Sequence, residues 1–186
     1  MVLTSKMLVP GAEKPSGVVA EEPLPPRISL IRTFPLSVNF EMTLGDAIAS
    51  GRFSECSQAI STGKFPLFDS HEKAPGSVDL EAGVFDVGNL DTRTAICEVE
   101  KFEPHPPVAW KIARLGHLLV FGRRYPEEQL TRKIVALRSR AEINGAPYVP
   151  ILHKASSGAR RLGVVIMDFE WDGAWILAVR PVCSSG

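Results

Sequence analysis

Residues 162–182, LGVVIMDFEWDGAWILAVRPV, constrain the fold more than any other stretch of the chain. Val165, Met167 and Phe169 alternate with Val164, Ile166, Asp168 and Glu170. Trp175, Leu177 and Val179 resume the period after Asp172-Gly173. Period-two alternation on both sides of a turn signal predicts a β-hairpin. A two-residue Asp-Gly loop would put Asp168 and Glu170 on the same face as Trp175 and Leu177. A three-residue loop, Trp171-Asp172-Gly173 with Gly173 left-handed, instead pairs Phe169 with Trp175, Met167 with Leu177 and Val165 with Val179. It leaves one face wholly apolar, so the bulged hairpin is expected, with the end of the chain built into the core.

Upstream, three or four strands in all are expected from residue 133 to the end. Residues 133–143 alternate Val135, Leu137, Ala141 and Ile143 against Arg138, Arg140 and Glu142. Asn144-Gly145 is a hairpin turn, and residues 148–153 return as an edge strand marked by Pro147 and Pro150. Residues 108–121 read as an amphipathic helix, with Val108, Ile112, Leu115, Leu118 and Leu119 on one stripe and Gly122 as its stop. Residues 28–40 read as extended chain interrupted at Pro35, an edge strand or two short pieces. Thr43 and Asp91 suit N-caps of short helices, residues 78–87 a strand with a close neighbour or bulge at Gly83, and residues 52–76 a long packed loop.

The expected fold class is α+β: a C-terminal antiparallel β-meander packed by one amphipathic helix, with N-terminal strands and short helices added. Residues 1–27, rich in Pro, Gly and Glu and ending in Pro23-Leu24-Pro25-Pro26-Arg27, read as a flexible Pro-rich arm; residues 28–186 read as a single domain. An apolar fraction of 45% against 23% charged residues suits a packed core and excludes wholesale disorder.

The zero net charge hides an asymmetry. Residues 1–110 carry 9 Lys/Arg and 15 Asp/Glu, whereas residues 111–186 carry 12 and 6. Within residues 111–140, Lys111, Arg114, Arg123, Arg124, Arg132, Lys133, Arg138 and Arg140 face only Glu127 and Glu128. Cations for phosphates with Tyr125 for stacking would suit RNA or DNA. The plainer account is internal charge balance, with cations at a helix C-terminus complementing its dipole. The candidate anion-binding residues are Arg123, Arg124, Tyr125, Arg132, Lys133, Arg138 and Arg140.

Catalytic signals are sparse. His71-Glu72 opens like a zinc-protease helix, but Pro75 stands where the second histidine belongs. No phosphate-binding loop, dinucleotide fingerprint, nucleophile elbow or Cys-x-x-Cys occurs. The four histidines lack ligand spacing, and His117 reads as a packed or rim residue. Asp168 and Glu170, two apart on one strand, can share acid–base work, although such a pair is more often a solvated face. Cys56, Cys97 and Cys183, odd in number and without metal-like spacing, point to a reducing compartment, with the cytoplasm expected; Cys97 and Cys183 are expected as buried small residues that would serve as nucleophiles only with a base beside them. No apolar run reaches the ~20 residues of a membrane span. Neither cofactor nor metal is expected.

Phe121-Gly122, Tyr125-Pro126 and Gln129, then Ile134-Val135-Ala136-Leu137, and finally Leu177-Ala178-Val179-Arg180, resemble an uncharacterised bacterial domain family. Its pattern runs F-G-x-x-Y-P-x-x-Q, then P-I-V-A-L-G-S, then L-A-V-R. The chain departs from it at Lys133, where the family has proline, and at Arg138, where it has glycine. The resemblance spans about the last 75 residues and implies an accessory bacterial domain without assigned activity, so no catalytic residues carry over. The expected function is a non-enzymatic binding module that docks a protein partner or, second, nucleic acid. The alternative is a small hydrolase or transferase using Asp168/Glu170 or a Cys/His pair.

Overall fold

The computed structural model describes residues 28–69, 76–102, 108–167, 171 and 173–182. The N-terminal arm, His71, His105, Asp168, Phe169, Glu170 and Cys183 lie outside these. The described chain begins with β1 (Ser29–Asn39), continuous through Pro35 and, among the described residues, an edge strand paired with β3 (Ser77–Asp86). Between them α1 (Leu44–Gly51) starts where Thr43 Oγ1 accepts the Asp46 N–H at 3.2 Å. β2 (Glu55–Cys56) and α2 (Gln58–Ser61) follow, in a stretch that the sequence reads as loop. α3 (Thr92–Lys101) is capped as expected: Asp91 Oδ1 accepts from the N–H groups of Arg93 and Thr94 at 2.9 and 3.0 Å.

The expected 108–121 helix is displaced and changes character. Lys111 and Ile112 form a short strand, β4 (Lys111–Ile112), beside Val179 and Ala178, and the helix α4 runs Leu115–Arg124. It is no amphipathic surface helix, because every residue from Leu115 to Gly122 is buried. An apolar run fits a buried strand or a buried helix equally well, and tertiary pairing decides between them. Gly122 does not stop the helix. A Cβ there would lie 2.7 Å from Leu152, so the glycine serves close packing.

α5 (Glu128–Thr131) leads into β5 (Lys133–Val135), β6 (Ala141–Ile143), β7 (Ala146–Lys154), β8 (Arg160–Ile166) and β9 (Ala174–Pro181). The expected 133–143 strand is thus two strands parted by a turn at Leu137-Arg138. Asn144-Gly145 does turn the β6–β7 hairpin, with φ of 53° and 79° as a type I′ turn requires.

The terminal hairpin is overturned. β8 pairs with β7 and, in parallel, with β2; β9 leaves it, runs antiparallel to β3 and β4, and lies parallel to β5. The sheet order is β1-β3-β9-β5-β7-β8-β2, so β9 is central. Alternation specifies which face a side chain takes and not which strand lies alongside. β7 is likewise interior, between β8 on one side and β5 and β6 on the other, despite its two prolines. The two parallel pairs make the sheet mixed rather than a purely antiparallel meander.

Helices cover both faces. Leu36, Val38, Val84, Leu177 and Val179 form one core with α1 and α4. Phe85, Ile176, Ala178, Val135 and Ile151 form the other with α3, Trp110 and Trp171. Each buried aliphatic or aromatic side chain contributes roughly 1.5–3 kcal/mol. Gly83 has the close neighbour its sequence position suggests: a Cβ there would lie 2.8 Å from the Trp110 ring.

Candidate functional site

The fold distributes the basic segment over three places. At the first, Arg114 and Arg138 converge on Asp69: Arg114 Nη2 pairs with Asp69 Oδ1, and Arg138 Nε lies 3.4 Å from Asp69 Oδ2. Arg138 Nη1 also reaches Glu100 at 3.4 Å, and Arg114 Nη1 donates to the Arg138 carbonyl at 3.2 Å. These cations balance acids from the negative half of the chain. Arg140 is exposed just before β6.

At the second, Arg132 and Lys133 open β5. Their strand faces His153 of β7, which faces Arg161 of β8, which in turn faces Glu55 of β2 at 3.5 Å. Burial pushes the His153 pKa below its ordinary value, and the nearby Arg161 and Lys133 add to the shift.

At the third, Arg123, Arg124 and Tyr125 end α4 beside β1. The Tyr125 ring packs between Phe34 and Phe121 at 4.7 and 5.2 Å, and its hydroxyl donates to the Pro35 carbonyl. Arg124 lies over the same ring at 5.9 Å. Tyr125 is therefore committed to holding α4 against the strand, so a base cannot stack on both of its faces.

The residue types of an acyl-transfer triad, Asp69, His117 and Ser139, also lie near the start of α4, in structural roles. His117 Nδ1 accepts the Arg114 N–H at 3.1 Å. Ser139 Oγ accepts the Leu115 N–H at 2.8 Å and donates to the Pro66 carbonyl at 2.8 Å. The Leu67 carbonyl accepts the Gly116 N–H at 2.8 Å. The N–H groups of Arg114, Leu115 and Gly116 are thus satisfied internally, and buried Ser139 gives its one O–H to the Pro66 carbonyl and not to a base.

Cys56 and Cys97 are free and exposed, which corrects the expectation of a buried Cys97. Cys56 Sγ donates to the Ser57 carbonyl at 3.7 Å, and partial burial holds its pKa above the ordinary value, against the thiolate. No group of three or more His, Cys, Asp or Glu side chains converges on a point among the described residues.

A cleft of about 440 Å³ opens where β1 meets α1 and α4; Ser37, Asn39, Glu41, Asp46, Ser50 and Arg123 are among the residues that line it. Its size falls within the roughly 300–1,000 Å³ of ligand pockets. Pro35 has no N–H and turns its carbonyl to Tyr125, so beyond the bulge at residues 30–32 Thr33, Pro35, Ser37 and Asn39 point their backbone groups away from β3. Ser37 and Asn39 accordingly present their outer edge beside the cleft. Of the candidate anion-binding residues Arg123 lines this cleft, and of the two readings at Pro35, an edge strand or two short pieces, the strand is continuous. Glu41, Asp46 and Ser50 carried no signal in the sequence, because they reach the cleft only through the packing of α1 on α4.

No family model, curated protein or solved structure matches the chain. No helix among the described residues is long and apolar enough to cross a membrane.

Proposed function

We propose that this protein is a non-enzymatic binding module that docks an extended segment of a protein partner along the outer edge of β1. The observation that carries this reading is the meeting of that edge with the Arg123 cleft at residues 37–39. Main-chain hydrogen bonds from an exposed edge give an added strand its affinity, and a neighbouring cleft gives side-chain selectivity. Nucleic acid is the weaker alternative, since Arg114 and Arg138 are engaged with Asp69 and Glu100, and Tyr125 with Phe34 and Pro35. Asp168 and Glu170, on which the hydrolase or transferase alternative rests, lie outside the described residues. The free thiols of Cys56 and Cys97 suit the cytoplasm, which belongs to the same proposal. So does the bacterial accessory role implied by the family resemblance.

Selection of a random-peptide display library on the immobilised protein tests the reading. Enriched peptides should lose binding when alternate backbone N–H groups are methylated, and the Ser37→Pro variant should fail to hold them. Tight, steeply salt-dependent binding of labelled single-stranded RNA, with no peptide enriched, would overturn it.

A further inference from the structure

The cleft is polarised along β1. α4 runs antiparallel to the strand: His117, in its first turn, lies 6.0 Å from Phe40, whereas Phe121 and Tyr125 lie 5.0 and 4.7 Å from Phe34 between ring centroids. Arg123, two residues before Tyr125, therefore stands toward the Pro35 end. Glu41 and Asp46, which follow Asn39 in the chain, stand toward the other. Arg123 forms no ion pair or hydrogen bond with its side chain among the described residues, although Glu41 and Asp46 line the same cleft. Asp46 is engaged instead with Thr43, whose hydroxyl donates to it at 2.7 Å.

The usable edge is short. At one end Pro35 has no N–H, and its carbonyl is taken by the Tyr125 hydroxyl. At the other the Asn39 carbonyl accepts the Met42 N–H at 3.3 Å as the chain turns toward α1. Between them the N–H and carbonyl of Ser37 and the N–H of Asn39 have no partner among the described residues. A polypeptide passing straight through would meet the Tyr125–Pro35 contact. One that ends there would not.

Both features rest on the reading of β1 as a docking edge, and they narrow it. We infer that the cleft takes the C-terminal segment of a partner polypeptide, added antiparallel to β1 at residues 37–39 with its terminal carboxylate on Arg123. The direction follows from charge. An antiparallel guest runs toward Pro35 and delivers its carboxylate to the guanidinium, while a parallel guest would set it against Glu41 and Asp46. A guanidinium can hold a carboxylate through two parallel hydrogen bonds, which fixes orientation as well as adding attraction. The same polarity places the N-terminal side of the guest, or a basic side chain there, near the two acids.

A library displaying random heptapeptides with free C-termini, selected on the full chain, supplies the probe. The enriched peptide is then titrated by fluorescence anisotropy as the free acid, as the C-terminal carboxamide and in backbone N-methylated form. The carboxamide should bind about tenfold or more weakly than the acid. Arg123→Gln should reduce the acid to the affinity of the carboxamide and leave the carboxamide unchanged. Arg123 is exposed on the last turn of α4, so neither substitution at this site, to Gln or to Lys, threatens the fold, and Arg123→Lys should restore part of the difference. Equal affinities for acid and carboxamide would overturn the carboxylate assignment while leaving edge docking intact, provided that N-methylation still abolishes binding. Failure to enrich any peptide, or indifference to N-methylation, would overturn both.

Discussion

The backbone N–H of Arg114 donates to Nδ1 of His117 at 3.1 Å, so the imidazole closes the first turn of α4 as a neutral acceptor. Burial, reinforced by the Arg114 guanidinium, holds the His117 pKa at about 4 instead of its ordinary 6.5, with Asp69 pulling weakly the other way. The unfolded chain takes up this proton near pH 6.5 and the folded chain only near pH 4. Between those values the unfolded state binds more protons, so stability falls as the pH falls. The loss should amount to about 3 kcal/mol by pH 4. Gln at 117 can reach the same N–H without titrating. Urea unfolding of wild type and His117→Gln at pH 7 and pH 4.5 should show a shallower acid loss in the variant; equal losses would remove His117 as the cause.

Arg160 joins the C-terminal ends of two helices. Its Nη1 donates to the Gly51 carbonyl of α1 at 2.9 Å, its Nη2 to the Gly122 carbonyl in the last turn of α4, and its Nε to Gln129 Oε1 at 3.3 Å, while the group stacks over Phe53 at 5.0 Å. A cation there also meets the negative ends of both helix dipoles. Lysine brings one nitrogen where three are used. Arg160→Lys should therefore cost on the order of 2–3 kcal/mol, read as a lower thermal midpoint with the overall fold preserved by circular dichroism. An unchanged midpoint would show that the two carbonyls are satisfied some other way.

What the sequence revealed of this fold was its local part. Thr43 and Asp91 cap helices because their own side chains reach N–H groups two or three residues on, and Asn144-Gly145 turns because both residues tolerate positive φ. What it concealed was the choice of neighbour. The run Ile176-Leu177-Ala178-Val179 is buried on both faces, the mark of a central strand, yet its period also matches a hairpin arm. β2 escaped notice because two residues beside β8 carry no periodicity. Arg123 was visible as charge, but its place in a cleft depends on α1 packing against α4.

Thr92 links α3 to the second core. Its hydroxyl accepts the Trp171 Nε1–H at 3.0 Å and donates to the Met167 carbonyl at 2.6 Å, a relay between residues about 75 positions apart. Valine keeps the shape and removes both bonds from a buried site. Thr92→Val should destabilise by about 1–3 kcal/mol, more than an exposed Thr→Val change. Because Trp171 is one of the three tryptophans, emission should register the altered indole environment in the folded state. Wild-type stability with an unaltered spectrum would sink this account.

The middle of the β1 edge is closed by two devices, the missing N–H of Pro35 and the Tyr125 hydroxyl on its carbonyl. Exposed edges otherwise invite pairing between molecules, and proline at an edge interrupts the hydrogen-bond ladder that such pairing needs. Replacing Pro35 by Val restores a donor in a residue that favours strands, and Tyr125→Phe frees the acceptor beside it. The double variant should expose an uninterrupted edge from Thr33 to Asn39, long enough for a second copy to add to it. Sedimentation velocity should then show self-association rising with concentration above that of the wild type. Tyr125→Phe alone should change it little, because Pro35 still breaks the ladder. If the double variant sediments as the wild type does, the edge is guarded by something other than these two residues, and the short docking length assigned to residues 37–39 loses its physical basis.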